Sequence, residues 1–179
     1  MKKTTIFFTI LLISFSFASC DEDDIIKVLP DFDVNINESE IIPVHVDQTL
    51  GDWATFTNSV QISIINNDTK DHLNKIKNVK INKLSYKIIN FNGDPIGEVD
   101  ASFWVDNIVS LNNAFVVQTS ANNGTIYQIT EVDELSRIAN ALLANHTITV
   151  KYSGNALCDD DDMDFDVEVT LDAKITIDP

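Results

Sequence analysis

The chain has 179 residues, with 12 Lys+Arg against 28 Asp+Glu and a formal charge of −16. A surface this acidic excludes nucleic acid as a partner, because phosphates need a basic face, and excludes unaided adsorption to anionic lipid headgroups. The length suits one domain with a proper core that needs no disulfide staples.

The first element is the stretch from Met1 to Cys20. Lys2 and Lys3 open it, Ile6 to Phe17 is apolar apart from Thr9, Ser14 and Ser16, and Ala18-Ser19 precede Cys20. This is the charged, apolar and small-residue layout of a secretory signal, too short to span a bilayer comfortably. With the cysteine directly after Ala18-Ser19, it resembles a bacterial lipoprotein signal. Phe17 stands where that family usually has Leu or Val. The resemblance implies that Cys20 is lipidated with palmitate-like chains and becomes the first mature residue. Cys158 is then left without a disulfide partner. Without Lys2 and Lys3, the mature part carries 10 basic against 28 acidic groups, a formal −18.

Asp21-Glu22-Asp23-Asp24 follows at once, and then Ile25-Ile26-Lys27-Val28-Leu29-Pro30. Four adjacent acids read as a solvated tether held off an anionic membrane. The run also resembles the export tract of Bacteroidota surface lipoproteins, which implies the outer membrane, facing outward. An Asp directly after the cysteine also resembles the inner-membrane retention signal of proteobacterial lipoproteins, but the run of four acids favours export. The expected organisation is therefore a signal at 1–19, an acidic lipidated tether at 20–30 and a domain at 31–179.

In the domain, period-two alternation marks strands one after another. Phe32, Val34 and Ile36 form the first, and Ile42, Val44 and Val46 a second, whose Pro43 suits a sheet edge. Val60, Ile62 and Ile64 form a third. Asn67-Asp68 offers a cap for about two helical turns over 69–76. A long strand runs from Val79 to Phe91, with Leu84, Tyr86 and Ile88 on one face, and Asn92-Gly93-Asp94-Pro95 turns it. Val99, Ala101, Phe103 and Val105 form the next inward set. Phe115 and Val117 begin another strand, and Asn122-Asn123-Gly124 turns it into 126–129. One amphipathic helix is predicted, capped by Thr130 with Asp133. Val132, Leu135, Ile138, Ala139 and Leu142 make its apolar stripe, and Asn145 its left-handed stop.

The closing segments alternate most clearly. Ile148, Val150 and Tyr152 read as one strand, and Phe165 through Ile177 as its long hairpin partner. One apolar and one polar face imply antiparallel sheet. Eight or so strands predict a mainly β fold: an antiparallel β-sandwich of immunoglobulin-like, Greek-key type, with one amphipathic helix and a short helical turn. The block from Asp71 to Ile88, a short helix leading into a long strand, resembles a segment of small uncharacterised Bacteroidota lipoproteins. That group carries no assigned activity, so no functional residue transfers.

Candidate chemistry is sparse. His45, His72 and His146 stand at no metal spacing and beside no nucleophile motif. Cys158 adjoins acids, which raise a thiol's pKa, so it is no nucleophile. The loop Cys158-Asp159-Asp160-Asp161-Asp162-Met163-Asp164 crowds hard oxygens, with Asp160, Asp162 and Asp164 as candidate calcium ligands. It is not an EF-hand, since Phe165 replaces the glycine and Leu171 the final glutamate. The plainer reading is a charged hairpin tip that keeps an edge soluble. Trp104 should point outward between Ser102 and Asp106, where it could stack on a sugar ring. The plainer reading there is a tryptophan covered by the helix or a loop. The expected function is a non-catalytic binding or structural module on a surface lipoprotein, with no cofactor beyond candidate Ca2+ and a glycan or protein partner. The alternative is a carbohydrate-active or other hydrolytic accessory enzyme on the same sandwich. A cleft with two facing carboxylates would mark that enzyme.

Overall fold

A computed structural model describes residues 30–179; Cys20 and the acidic tract lie outside the described residues. Eight strands and two helices follow in the order β1 (Phe32–Val46), β2 (Ala54–Ser63), β3 (Ile76–Gly93), β4 (Glu98–Val105), β5 (Val109–Val116), α1 (Val117–Asn123), β6 (Ile126–Gln128), α2 (Val132–Asn145), β7 (Thr147–Leu157) and β8 (Met163–Ile177). They form two four-stranded sheets, β1-β8-β3-β6 and β2-β7-β4-β5, whose paired strands run antiparallel. The β-sandwich with Greek-key connections is therefore present. Its strand order is that of a jelly roll, which stacks two Greek keys. An immunoglobulin order keeps the first two strands side by side in one sheet, whereas here β1 and β2 lie in opposite sheets.

The core follows the alternation. Every odd-numbered residue of β8 from Met163 to Ile177 is buried. Val99, Ala101, Phe103 and Val105 of β4 are buried likewise. An aromatic column then closes the side where the sheets part. Phe103 stacks on Tyr86 at 4.9 Å, Tyr86 on Tyr127 at 4.8 Å, and Tyr127 on Phe115 at 5.0 Å. These four rings come from β4, β3, β6 and β5, so the column ties the two sheets together. Offset aromatic stacking of this kind adds about 0.5–1.5 kcal/mol per pair beyond burial.

Several expectations change. The two strands expected before Val46 are one, because Glu38 and Glu40 continue the inward parity half-buried instead of breaking it. Pro43 does lie on an edge strand, as β1 is outermost. The helix expected over 69–76 shrinks to a turn and one 3-10 turn at Leu73–Lys75. Its anchor is Asn66, whose Oδ1 accepts the N–H of Asp68 at 2.9 Å and of Thr69 at 3.2 Å. Val117 begins α1 rather than a strand, and Gly124, at φ 58°, ends that helix in the left-handed conformation. The amphipathic helix α2 starts after Glu131 without a side-chain cap, and His146, not Asn145, is its left-handed stop at φ 61°. Val132 at its start is 74% exposed, so the buried stripe is carried by Ile138, Ala139 and Leu142.

The largest change concerns the last two strands. β7 and β8 are not a hairpin; they belong to opposite sheets. Alternation reports which side of a strand is wet, and both strands of a sheet-crossing pair show it as well as a hairpin does. The acidic loop is thus a crossover at one end of the sandwich. It lies there with the β1–β2 and β3–β4 connections, while the start of β1 and helix α2 lie at the other end.

Sheet packing leaves no room at Gly154, opposite Ala101 on β4. A Cβ there would sit 2.3 Å from the Asp100 carbonyl oxygen and 2.6 Å from the Ala101 Cα, both backbone atoms. Gly154→Ala should therefore destabilise the fold by about 1–3 kcal/mol, the usual cost of overpacking. A lower urea midpoint with an unchanged m-value is the expected result.

Candidate functional site

The outer faces of the two sheets differ in chemistry. On the β1-β8-β3 sheet five of the seven outward residues of β8 from Asp164 to Thr176 are charged, and each of the five finds a partner on a neighbouring strand. Asp164 meets His45 at 2.7 Å, Asp166 takes the Asn90 amide at 2.8 Å, and Glu168 pairs with Lys87 at 2.5 Å. Asp172 takes the Asn82 amide at 3.0 Å, and Lys174 pairs with Asp33 at 2.6 Å. Cross-strand complementarity of this kind stabilises a wet sheet face and leaves little free charge for a ligand.

The outer face of the other sheet is mostly uncharged. The registers place Ser59, Lys151, Trp104 and Ser110 in one row across β2, β7, β4 and β5. The adjoining row is Thr57, Ser153, Ser102 and Asn112, with the Ser102 hydroxyl donating to the Asn112 side-chain oxygen at 2.6 Å. Within these two rows Lys151 is the single ionisable side chain. Trp104 is half-buried and points outward, because Phe103 and Val105 on either side point into the core.

Trp104 lies in an open groove of about 730 Å³. Its lining includes Ser59, Asp106, Asn107, Thr147, Thr149 and Lys151, and the last turns of α2 contribute Ala141 and Asn145. The helix therefore borders the tryptophan rather than covering it. The Lys151 ammonium stands 5.7 Å from the indole centroid, within cation–π range. Asp106 is the one carboxylate in the lining, and its Oδ1 accepts the Thr149 N–H at 2.8 Å. The backbone strain at this corner is local: Asp106 and Asn107 form the β4–β5 turn with φ of 47° and 56°. A face of hydroxyls and amides around one indole can hold a polyhydroxylated ring by stacking and hydrogen bonds. Nothing in the lining pairs two carboxylates for glycosidic cleavage.

The acidic crossover at the far end is built differently. Asp159 Oδ1 accepts the Gly51 N–H at 2.7 Å and the Thr49 hydroxyl at 3.1 Å, and Asp162 Oδ1 accepts the Gln48 N–H at 2.8 Å. These carboxylates clasp the β1–β2 connection. The three proposed calcium ligands do not converge. Asp160 contributes its backbone N–H to Asp94, and Asp164 pairs with His45. Asp162 instead joins His45 and Asp47, with donor atoms of all three within 4.8 Å of one another. Only Asp164 lies on β8, whose pairing with β1 sets it beside His45, whereas Asp160 and Asp162 belong to the loop and are held separately, by Asp94 and by the Gln48 N–H.

Three residues of this end had no sequence signal as a group. His45 and Asp47 come from the end of β1, and only the β1–β8 register, His45 opposite Asp164, brings them to the loop. Asp164 at Nδ1, and then Asp47 at Nε2, raise the imidazole above its ordinary value. The third is Asp94, 1% exposed beneath the two loops. Burial alone would raise its carboxyl, but the N–H groups of Asp160, Ile96 and Asp159 together outweigh burial and hold it below the ordinary 3.8. Cys158 is fully buried and donates its thiol toward the Asp47 carbonyl at 3.3 Å. Burial first, and the Asp94 charge second, push its pKa up, in keeping with an inert thiol.

No protein-family model matches the chain, and no curated protein matches it. A solved structure titled for Desmodium yellow mottle tymovirus is similar, with 12% identity over 99% of this chain and 96% of that one, at a TM-score of 0.36. That likeness is too distant to carry any argument about this protein.

Asp94 yields a test of the crossover. Asp94→Ala should cost about 1–3 kcal/mol, because it strands buried N–H donors. A carboxyl held below its unfolded value of 3.8 stabilises above that pH, and the contribution fades as pH falls through the lower folded value. Urea unfolding followed from pH 6 down to about pH 2.5 should show the gap between the native protein and Asp94→Asn narrowing below about pH 4.

Proposed function

We propose that this protein is a lipid-anchored surface lipoprotein of the outer membrane, and that its sandwich is a non-catalytic module binding a glycan. The observation that carries the binding role is Trp104, outward and flanked by hydroxyls and amides in an open groove. A pyranose ring offers an apolar face of C–H groups to an indole and hydroxyls to Ser, Thr and Asn side chains, and this lining supplies both. Its one carboxylate already accepts a backbone N–H, which favours holding a ligand over cleaving it.

Support for the anchor comes from Met1 to Cys20 and the acids that follow. Two or three acyl chains hold a protein on a membrane essentially permanently, at about 0.8 kcal/mol per buried methylene. Among the described residues no helix is long and apolar enough to cross a membrane. The described chain starts at the end of the sandwich that also carries α2 and the Trp104 groove, and β1 runs from there to the acidic crossover. At about 3.3 Å per residue, the 15 residues of β1 span about 50 Å between those two ends.

Two experiments test the two halves of this reading. The full-length protein in detergent should bind members of a glycan array, and Trp104→Ala should lose at least about tenfold in affinity while keeping its circular dichroism. Array binding that is absent, or unchanged in the alanine variant, would remove the glycan role. Cys20→Ala should leave the membrane fraction and lose radioactive palmitate labelling; if the variant stays membrane-bound, the anchor is elsewhere.

A further inference from the structure

We propose that His45, Asp47 and Asp162 form a binding site for a divalent transition-metal ion such as Zn2+ or Co2+, oriented by Asp164. The imidazole separates this group from an ordinary patch of surface acids. His45 Nδ1 lies 2.7 Å from Asp164 Oδ1, which assigns the Nδ1 proton to that hydrogen bond and turns Nε2 toward Asp47, 3.2 Å away. A carboxylate on one ring nitrogen with the other facing an ion is the usual support for a metal-bound histidine, since it fixes the ring and makes the free nitrogen more basic.

The spacing suits an ion of that class. The three donor atoms lie within 4.8 Å of one another. Tetrahedral donors about 2.0–2.2 Å from a metal stand about 3.3–3.6 Å apart, so side-chain rotation alone would close the set. Asp162 Oδ1 already accepts the Gln48 N–H at 2.8 Å, which steadies the carboxylate and leaves its other oxygen free. An ion at Nε2 would replace the proton shared there with Asp47, and that proton would pass to water.

The donor set also chooses the metal. Calcium takes six to eight hard oxygens and has no use for imidazole, whereas one nitrogen and two carboxylates suit Zn2+, Co2+ or a similar cation. All three ligands are exposed, so the remaining coordination positions face solvent. If the tether reading holds, they face outward at the end of the domain remote from the anchor. The site is separate from the Trp104 groove and does not depend on the glycan reading.

The test is a Co2+ titration of the full chain in detergent, followed by visible absorption and calorimetry. One equivalent should bind with the appearance of d–d bands, Zn2+ should displace it, and excess Ca2+ should not. His45→Ala and Asp162→Asn should each weaken binding more than about tenfold, Asp164→Asn by about 10–100-fold as a loss of ring support, and Asp161→Asn should leave it unchanged. All four positions are exposed, and circular dichroism would show each variant folded. No d–d bands, equal binding by His45→Ala, or displacement by Ca2+ would each overturn the proposal.

Discussion

β8 sets the register for its whole sheet. Its eight odd-numbered positions from Met163 to Ile177 all point into the core, and its even-numbered positions all point out. Both neighbours pair with it along nearly its full length, β1 from Phe32 to Val46 without a shift and β3 from Ile76 to Gly93 with three. A slip of one residue would expose eight buried side chains and bury the outward row of acids, so no nearby register competes. All three shifts fall on β3. Asn90, at φ 53°, lies within the last one, between Ile89 and Asn92. The sheet's outer chemistry follows from this single parity. Asp164 and Glu168 are brought opposite His45 and Lys87, while Asp172 and Asp166 take the amides of Asn82 and Asn90, residues that the shifts on β3 leave without an opposite partner.

This explains what could be read from the sequence and what could not. Period-two patterning reports one bit per residue, in or out. It identified the inward sets Val99 to Val105 and Phe165 to Ile177 and the outward placement of Trp104, all of which depend on parity alone. It could not tell which strands are neighbours. Ile148–Tyr152 and Phe165–Ile177 look like a hairpin by pattern, yet they face each other across the core from opposite sheets. Helix ends escape the pattern for a related reason. Thr130 and Asn145 are favourable caps by propensity, but the connections into β7 fix the backbone, and His146 takes the left-handed position because its carbonyl accepts the Ile64 N–H at 3.0 Å. Val117 reads as a strand residue by its β-branch, yet it opens α1 where its N–H reaches the Gly97 carbonyl at 2.9 Å. Tertiary hydrogen bonds of this kind override weak local preference.

The candidate sites divide along the same line. Trp104 was legible because its chemistry is its own: one large aromatic at an outward position. The His45 cluster was not, since His45 and Asp47 lie more than a hundred residues before Asp162 and Asp164 and meet them only through the β1–β8 register. The acidic run drew attention to Asp160, Asp162 and Asp164 as a local set. The fold instead spends the loop on structure. Asp159 and Asp162 hold the β1–β2 connection, and the loop's N–H groups close over Asp94.

Asp94 also accounts for why so acidic a loop can be placed with precision. Adjacent carboxylates repel, and a bare run of them would favour an expanded loop. Here the buried anion binds the loop by its backbone donors, which carry no net charge, so attraction to Asp94 does not require a cation. Gly93 permits the approach, since a Cβ there would lie 2.0 Å from the Asp162 carbonyl oxygen. With φ at 122°, Gly93 also takes a backbone conformation that other residues avoid. The two glycine properties, no Cβ and a left-handed backbone, are thus needed at one position for one purpose: to bring the β3–β4 turn under the crossover. The outward-facing carboxylates of that crossover are then presented in a fixed arrangement beside His45, which is what a site made of exposed side chains needs from the fold beneath it.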